Sequence, residues 1–285
     1  MVTYNPNFDF VIHEIQRISS LDFVSTFIIV DNNSRNFDSR IYDCEKVTVI
    51  KNSKNVGLAS ALNQMFEKGE SLNEEWLTFL DQDTVIPLRC LETYEQNCNK
   101  ACSPEVGIFC CSSVAVCGKD FANKEKPISQ RMLGDKPISV VPRCVTSGAC
   151  FSIKCWKAIG KFMEDLFIDD TDYEFCFRLT KNNFQIIRFD DISFYHELFD
   201  SETKSIRLFN MSIQYNDVSV FRLYYKVRNY LFLRKLYRDF PRRSFFILKF
   251  FIKSIFLEKQ KMRRLHTLIQ AIFDSKKMYI QFIQK

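Results

Sequence analysis

Asp81 and Asp83 stand one residue apart directly after an apolar run, Trp76-Leu77-Thr78-Phe79-Leu80, and Pro87 closes the stretch. Two carboxylates this close repel each other unless something positive sits between them. A divalent cation with oxygen ligands answers that need, and phosphates are its usual further ligands. The competing reading is a solvated turn, which Asp favours. A second acidic group, Asp169, Asp170, Asp172 and Glu174, precedes Arg178. Its plainest reading is the acid-rich first turn of a helix, stabilised there by the helix dipole. Glu174 and Arg178 have the spacing of an i,i+4 ion pair. A third polar stretch, Asp31-Asn32-Asn33-Ser34, follows Phe27-Ile28-Ile29-Val30 and carries residues suited to turns and to ribose or phosphate contacts.

These groups need strands to deliver them. Trp76–Leu80 reads as a short buried strand, and in an open α/β sheet ligands bind outside the carboxyl ends of strands. Val2-Thr3-Tyr4-Asn5-Pro6 reads as a strand running into a loop. Apolar positions Phe10, Val11, Ile15 and Ile18 predict a helix. Phe27–Val30 and Val47–Ile50 are further strands, and a helix opens at Asn55-Val56-Gly57. The order strand–helix–strand–strand–helix–strand implies a mainly parallel sheet with helices on both faces. Further on, Leu88–Cys98 predicts a helix, Val106–Val116 a strand, residues 118–137 a polar mobile loop and Val140–Val145 a strand. Ser147-Gly148-Ala149-Cys150 is a small-residue turn. Lys154–Ile159 predicts a helix ended by Gly160, and another runs through Arg178. Phe184–Phe189 and Ile192–Tyr195 are late strands, closed by His196.

The chain of 285 residues is 46% hydrophobic, enough for a sizeable core and too much for global disorder. Only 7 Gly and 7 Pro argue against an all-β fold of tight turns. No apolar run is long enough to span a bilayer, and the N-terminus has no secretory pattern. Eleven Cys, an odd number without a Cys-x-x-Cys pair, fit reduced and mostly buried cytosolic thiols better than disulfides or a zinc site. The net charge of +6 is unevenly spread: residues 201–285 hold 19 Lys+Arg against 5 Asp+Glu, and residues 1–200 hold 21 against 29. A basic extension aimed at an anionic partner follows from that split.

Taken in order, Thr3-Tyr4-Asn5-Pro6, Asp31-Asn32-Asn33-Ser34, Asn55-Val56-Gly57, Asn63 and Asp81-Gln82-Asp83 resemble the family 2 glycosyltransferases. The Asp-Gln-Asp form and the stretch from Phe167 to Arg178 look most like the bacterial rhamnosyltransferase branch. The match covers roughly residues 1–230. The resemblance implies a GT-A fold, α/β and Rossmann-like with a mainly parallel central sheet, over residues 1–200, and a C-terminal helical extension over 201–285. It implies a nucleotide-sugar donor, inversion at the anomeric carbon and a divalent cation, Mg²⁺ or Mn²⁺. Thr3, Tyr4, Asn5, Asp31, Asn55, Gly57, Asn63, Asp81 and Gln82 would bind the nucleotide sugar, with Asp31 accepting from the base or ribose and the helix start at Asn55–Gly57 favouring phosphate. Asp83, Asp81 and His196 would hold the metal. His196 is followed by Glu197-Leu198-Phe199 rather than the glycine common in relatives. Inversion needs a base for the acceptor hydroxyl. The family pattern places it six residues before the helix arginine, at Asp172, with Asp169 as the alternative. Ser147, Gly148, Arg222 and Arg228 would serve the phosphate or acceptor side.

The expected activity is transfer of rhamnose from dTDP-rhamnose to a lipid-linked oligosaccharide in cell-surface polysaccharide synthesis, O-antigen or capsule, with a UDP-sugar as the alternative donor. A basic nucleic-acid-binding protein would leave the acidic loops unexplained. A nucleotidyltransferase would carry a Gly-rich basic loop near the first strand, which Thr3–Pro6 lacks. Phe245–Leu257 interleaves large apolar residues with Lys249 and Lys253, a pattern suited to a helix lying in a membrane interface with its lysines snorkelling. Arg242-Arg243, Arg263-Arg264 and Lys276-Lys277 would extend the basic surface toward anionic lipid. The expected location is the inner face of the cytoplasmic membrane. The alternative is a C-terminal helix that packs its Phe face on the catalytic domain.

Overall fold

The computed structural model describes residues 1–98, 105–115, 127–196, 203–208, 211–216, 218–243, 245–256 and 259–284. The chain forms two compact units, Met1–Phe167 with Thr171–Glu197, and Ile168–Asp170 with Leu198–Lys285.

In the first unit, β1 (Val2–Thr3), β2 (Phe27–Asp31) and β3 (Val47–Lys51) form a parallel sheet in that order. Each apolar run stops at a polar loop, so the three strands end on one edge, at Thr3, Asp31 and Lys51. A parallel bridge from Val2 to Asp81 brings the end of β4 (Trp76–Thr78) to the same edge. A six-stranded mixed sheet contains β4, β5 (Val106–Ala115), β6 (Ser129–Leu133), β7 (Lys136–Val141), β8 (Cys150–Ser152) and β9 (Gln185–His196), in the order β4-β8-β5-β9-β7-β6. Among the described residues of that sheet, β5 and β9 run parallel and the other pairs antiparallel.

Alternation of side chains along the strands feeds two cores. Ile29, Phe109 and Cys111 face α1 (Phe8–Ser19), through Val11, Ile15 and Ile18. The same core takes Leu91 and Tyr94 from the helix over Leu88–Cys98. Ile28, Val30, Ile108 and Cys110 face the other way, into a core with Leu62, Phe66, Trp156 and Phe175. These come from α2 (Leu58–Ser71), α4 (Ile153–Ile159) and α5 (Thr171–Lys181), the label α3 going to Leu88–Cys98. Phe66 stacks on Trp156 with ring centroids 4.9 Å apart. Helices on both faces are what the periodicities called for. Asn7 caps α1 by accepting from Phe10 N, and Gly160 ends α4 at φ +87°.

Three local readings are corrected. Residues 129–137, expected as part of a loop, form the β6–β7 hairpin, and β7 ends at Val141 instead of running from Val140 to Val145. β6 is an exposed edge strand, so its polar residues carry no burial signal; residues 118–126 of that loop lie outside the described part. The late strands are one strand, β9, whose partner register jumps from Phe189 to Ser193. The jump is fastened by Asp190, which accepts from Arg188 Nε and Ser139 Oγ. The extension is also not wholly helical. It begins with an antiparallel hairpin, β10 (Thr203–Leu208) and β11 (Met211–Asn216).

The second unit continues with α6 (Val220–Leu236), α7 (Phe246–Phe256) and α8 (Lys261–Ile283). Leu223 and Val227 of α6 bury against Leu268 and Ala271 of α8, with Ile247, Phe250 and Phe251 of α7 packed on them. One face of α7 is therefore packed among the extension's own helices. Its opposite face, with Leu248, Lys249, Ile252, Ile255 and Phe256, is exposed. Lys253, expected to share a solvent face with Lys249, is buried, and Arg264 is buried with its Nη1 donating to Val218 O. Along α8, Met262, Ile269, Phe273, Ile280 and Ile283 form an exposed apolar stripe flanked by Arg263, His266, Lys276 and Lys277. Among the described residues no helix is long and apolar enough to cross a membrane.

Candidate active site

The polar loops at the shared strand edge are tied to one another by side chains. Thr3 Oγ1 donates to Asp31 Oδ1 at 3.0 Å, and Ser34 N donates to Asp31 Oδ2 at 2.9 Å. Both oxygens of the buried Asp31 are thus oriented, and each keeps a further acceptor direction. Thr3, like Asp31, is 0% exposed, and its hydroxyl positions the Asp31 carboxylate. Tyr4, in contrast, is 48% exposed. Asn5 sits at φ +48° and builds the turn: its N donates to Ser34 Oγ and its Oδ1 accepts from Arg35 N.

Gln82 reaches the same place from the other side, its amide bonding both the N–H and the C=O of Tyr4. The Asp81-Gln82-Asp83 turn is closed by Thr84 N donating to Asp81 O. Beneath it, Ser147 Oγ accepts from Asp81 N at 3.0 Å and shares a hydrogen bond with Thr84 Oγ1 at 2.8 Å. Gly148, at φ +76°, packs so closely that a Cβ would lie 2.3 Å from Phe194 Cζ. Its carbonyl accepts from Tyr94, whose buried phenol is pushed well above its ordinary pKa by burial and remains a donor. Ser147 and Gly148 therefore hold the acidic turn in place.

The next loop joins through Asn32, whose Nδ2 donates to Gly57 O. Asn55 Oδ1 accepts from Gly57 N, an Asx turn. Sequence reasoning placed a phosphate at the start of α2, but Leu58 N and Ala59 N both donate to Phe167 O. The helix start is occupied by the chain's own carbonyl. Gly57 is needed there, at φ +86°, because a Cβ would stand 2.8 Å from that oxygen. Asn63 is buried, donates to Phe162 O and Glu164 Oε1, and accepts from Phe162 N and Trp156 Nε1. It fastens α2 to the segment before Phe167 and offers no free amide to a ligand.

Asp172 lies half-buried in the first turn of α5, its Oδ1 accepting from Tyr173 N. Glu174 and Arg178 form the expected pair at 2.6 Å, and Arg178 also donates to Ile159 O and Lys161 O. Asp169 belongs to the second unit, where Arg222 at 2.7 Å and Lys226 at 3.1 Å neutralise it. Arg222 is engaged there by the Asp169 carboxylate. Arg228 donates to Asn229 Oδ1 and lies over the Tyr225 ring. The side chain of His196 lies outside the described residues.

Among the described residues, no three His, Cys, Asp or Glu side chains gather as a metal-holding group. Asp81 and Asp83 nevertheless fit Mg²⁺ or Mn²⁺ by the chemistry of the donor set. Mg²⁺ in particular is held by one or two carboxylates completed by substrate phosphates. A cavity of about 460 Å³ lined by Phe27, Trp76, Thr78 and Cys150 contains none of the candidate residues. Sequence reasoning missed the Phe167 carbonyl. Ser34 and Asn32 sit in a stretch singled out for ligand contacts, whereas Phe167 O carries no signal in its residue type.

Residues 3–154 match Glycosyl transferase family 2. The chain is 28% identical over 248 residues to the dTDP-rhamnosyl transferase RfbF of Shigella flexneri, covering 82% of this chain and 79% of that one. Among solved structures, S. aureus TarS superposes with a TM-score of 0.58 at 16% identity, covering 95% of this chain and 48% of TarS. This chain thus spans about half the length of that TarS chain. TarS 1-349 in complex with UDP gives 0.53 at 15% identity, covering 95% of this chain and 79% of that one. GalNAc-T7 with UDP, GalNAc and Mn²⁺ gives 0.56 at 10% identity, covering 93% and 53%. At these identities the likeness is one of fold, and the fold is GT-A.

Proposed function

This chain belongs to glycosyl transferase family 2, and on that premise we propose that it transfers rhamnose from dTDP-rhamnose to a hydroxyl of a lipid-linked oligosaccharide, with inversion, in building a bacterial cell-surface polysaccharide. The observation that carries the reading is the joining of the Asp81–Asp83 turn to the Tyr4 and Asp31 loops at one strand edge, through Gln82, Thr3 and the Val2–Asp81 bridge. A nucleotide there meets hydrogen-bond acceptors for base and ribose beside carboxylates for a phosphate-bound cation. The rhamnosyl transferase relative supports the choice of donor.

In this reading Asp31 and Tyr4 hold the nucleoside, and Asp81 and Asp83 hold a divalent cation. When bound, the cation neutralises charge on the departing diphosphate. Asp172 accepts the proton of the acceptor hydroxyl as its oxygen bonds to the anomeric carbon and the bond to the diphosphate breaks. Ser147 and Gln82 keep the acidic turn from moving while charge shifts, a preorganised arrangement. The exposed apolar stripe of α8 with its basic flanks supports peripheral attachment to the inner face of the cytoplasmic membrane, where the acceptor lipid would lie.

The test is transfer to a lipid-linked oligosaccharide from a panel of dTDP- and UDP-sugars with Mg²⁺ or Mn²⁺, read by product mass. Rhamnosylated product is expected. Transfer from a UDP-sugar alone would change the donor, and no transfer from any donor would overturn the reading.

A further inference from the structure

Between Phe167 and Thr171 the backbone takes an unusual path. Phe167, Asp169 and Asp170, none of them glycine, have φ of +65°, +62° and +60°, a region L side chains rarely adopt. Such a run persists only where its surroundings over-determine it, and runs of this kind gather at functional sites. Phe167 is fixed in the first unit by its carbonyl at the start of α2. Ile168–Asp170 group with the second unit, although Phe167 and Thr171 on either side group with the first.

Within the second unit the tripeptide is gripped at two carbonyls and two carboxylates. Asn229, fully buried on α6, donates from one Nδ2 to Ile168 O at 2.8 Å and Asp169 O at 2.9 Å. Arg222 and Lys226 hold the Asp169 carboxylate. Arg243 holds Asp170 with both guanidinium nitrogens, Nη2 to Oδ1 at 2.5 Å and Nη1 to Oδ2 at 3.5 Å. Arg243 is itself steadied: its N donates to Tyr230 Oη, and its guanidinium lies against the Tyr230 and Phe246 rings. Asp170 has a side chain only 4% exposed. Burial pushes its carboxyl pKa up against the opposing pull of Arg243.

Two residues beyond Asp170 stands Asp172. We propose that Arg243 is a positioning residue for the transfer step: through Asp170 it fixes the left-handed turn from which α5 and Asp172 start. The inference rests on the reading of Asp172 as the base. A proton acceptor displaced by about 1 Å loses on the order of a hundredfold in rate, whereas donor contacts made by Asp31, Tyr4 and Asp81 do not depend on this turn. Arg243 then differs from its neighbour Arg242, an exposed cation of the same basic run.

The experiment compares the full chain with Arg243→Met and Arg243→Lys. It measures kcat and donor KM in transfer to lipid-linked oligosaccharide, together with amide hydrogen exchange across residues 168–174. Arg243→Met should lower kcat tenfold or more, leave donor KM within twofold and speed exchange in 168–174. Arg243→Lys, which keeps the charge without the fork, should recover part of the rate. A kcat within twofold of the parent, or unchanged exchange in 168–174, overturns the proposal. If Arg243→Met does not fold, Asp170→Asn is read by the same criteria. A parent that transfers no sugar from any donor contradicts the transferase reading instead, and exchange alone then decides whether Arg243 holds the turn.

Discussion

Gln82 clasps the backbone of Tyr4 as a neighbouring strand would: its Oε1 accepts from Tyr4 N at 2.7 Å and its Nε2 donates to Tyr4 O at 3.3 Å. One side chain thereby registers the acidic turn against the end of the first strand. Gln82→Leu keeps the bulk and removes both bonds. It should cost about 1 kcal/mol of stability, as expected for exposed hydrogen bonds, yet lower kcat/KM for donor by about tenfold or more because the carboxylates lose their register. Denaturant unfolding and steady-state kinetics on one preparation check both halves. A loss of activity no larger than the loss of stability would count against a registering role.

Asp83→Asn removes a charge at a strand end rather than in the core, so the fold should survive and the melting temperature should hold. Turnover should fall by about a hundredfold or more, the scale expected when one electrostatic stabiliser is lost. A divalent-cation titration of the variant checks this. Near-normal rates at saturating Mn²⁺ or Mg²⁺ would remove Asp83 from the metal site.

The membrane reading calls for point changes on α8. Cutting the chain before α7 would uncover Leu223 and Val227, which bury against Leu268 and Ala271, and would confuse unfolding with loss of lipid binding. Ile269 is 49% and Phe273 63% exposed, so Glu at either position should not disturb the fold. Each apolar side chain entering the acyl boundary contributes about 1.5–3 kcal/mol. Ile269→Glu and Phe273→Glu should therefore each weaken co-sedimentation with anionic liposomes by about tenfold or more. A parent that stays in the supernatant at low salt, or variants that sediment as the parent does, would contradict membrane attachment.

The strand edge was legible because its signals are local. Val30-Asp31, Ile50-Lys51 and Leu80-Asp81 each switch from apolar to polar within one step, and alternation within β2 and β5 matches the two cores. The internal bonds of Asn63 were not legible, because its partner Phe162 lies 99 residues away. The same distance problem hides Arg243: in the chain it is one of two adjacent arginines, and only the fold sets it on Asp170. Lys253 and Arg264 share that history, counted with the membrane-facing cations until packing turned them inward. β6 was invisible for the opposite reason, since an exposed edge strand imposes no apolar pattern.

The central claim, inverting transfer with Asp172 as the base, is tested most directly by the parent and Asp172→Asn side by side with dTDP-rhamnose and a lipid-linked acceptor. Donor binding is followed by calorimetry, and product by mass and anomeric configuration. The account predicts rhamnosylated product of inverted configuration from the parent. It predicts from Asp172→Asn an unchanged donor affinity with transfer reduced by a factor of about 10²–10⁴, the usual contribution of a general base. Normal transfer by Asp172→Asn, or retention of configuration by the parent, would contradict it.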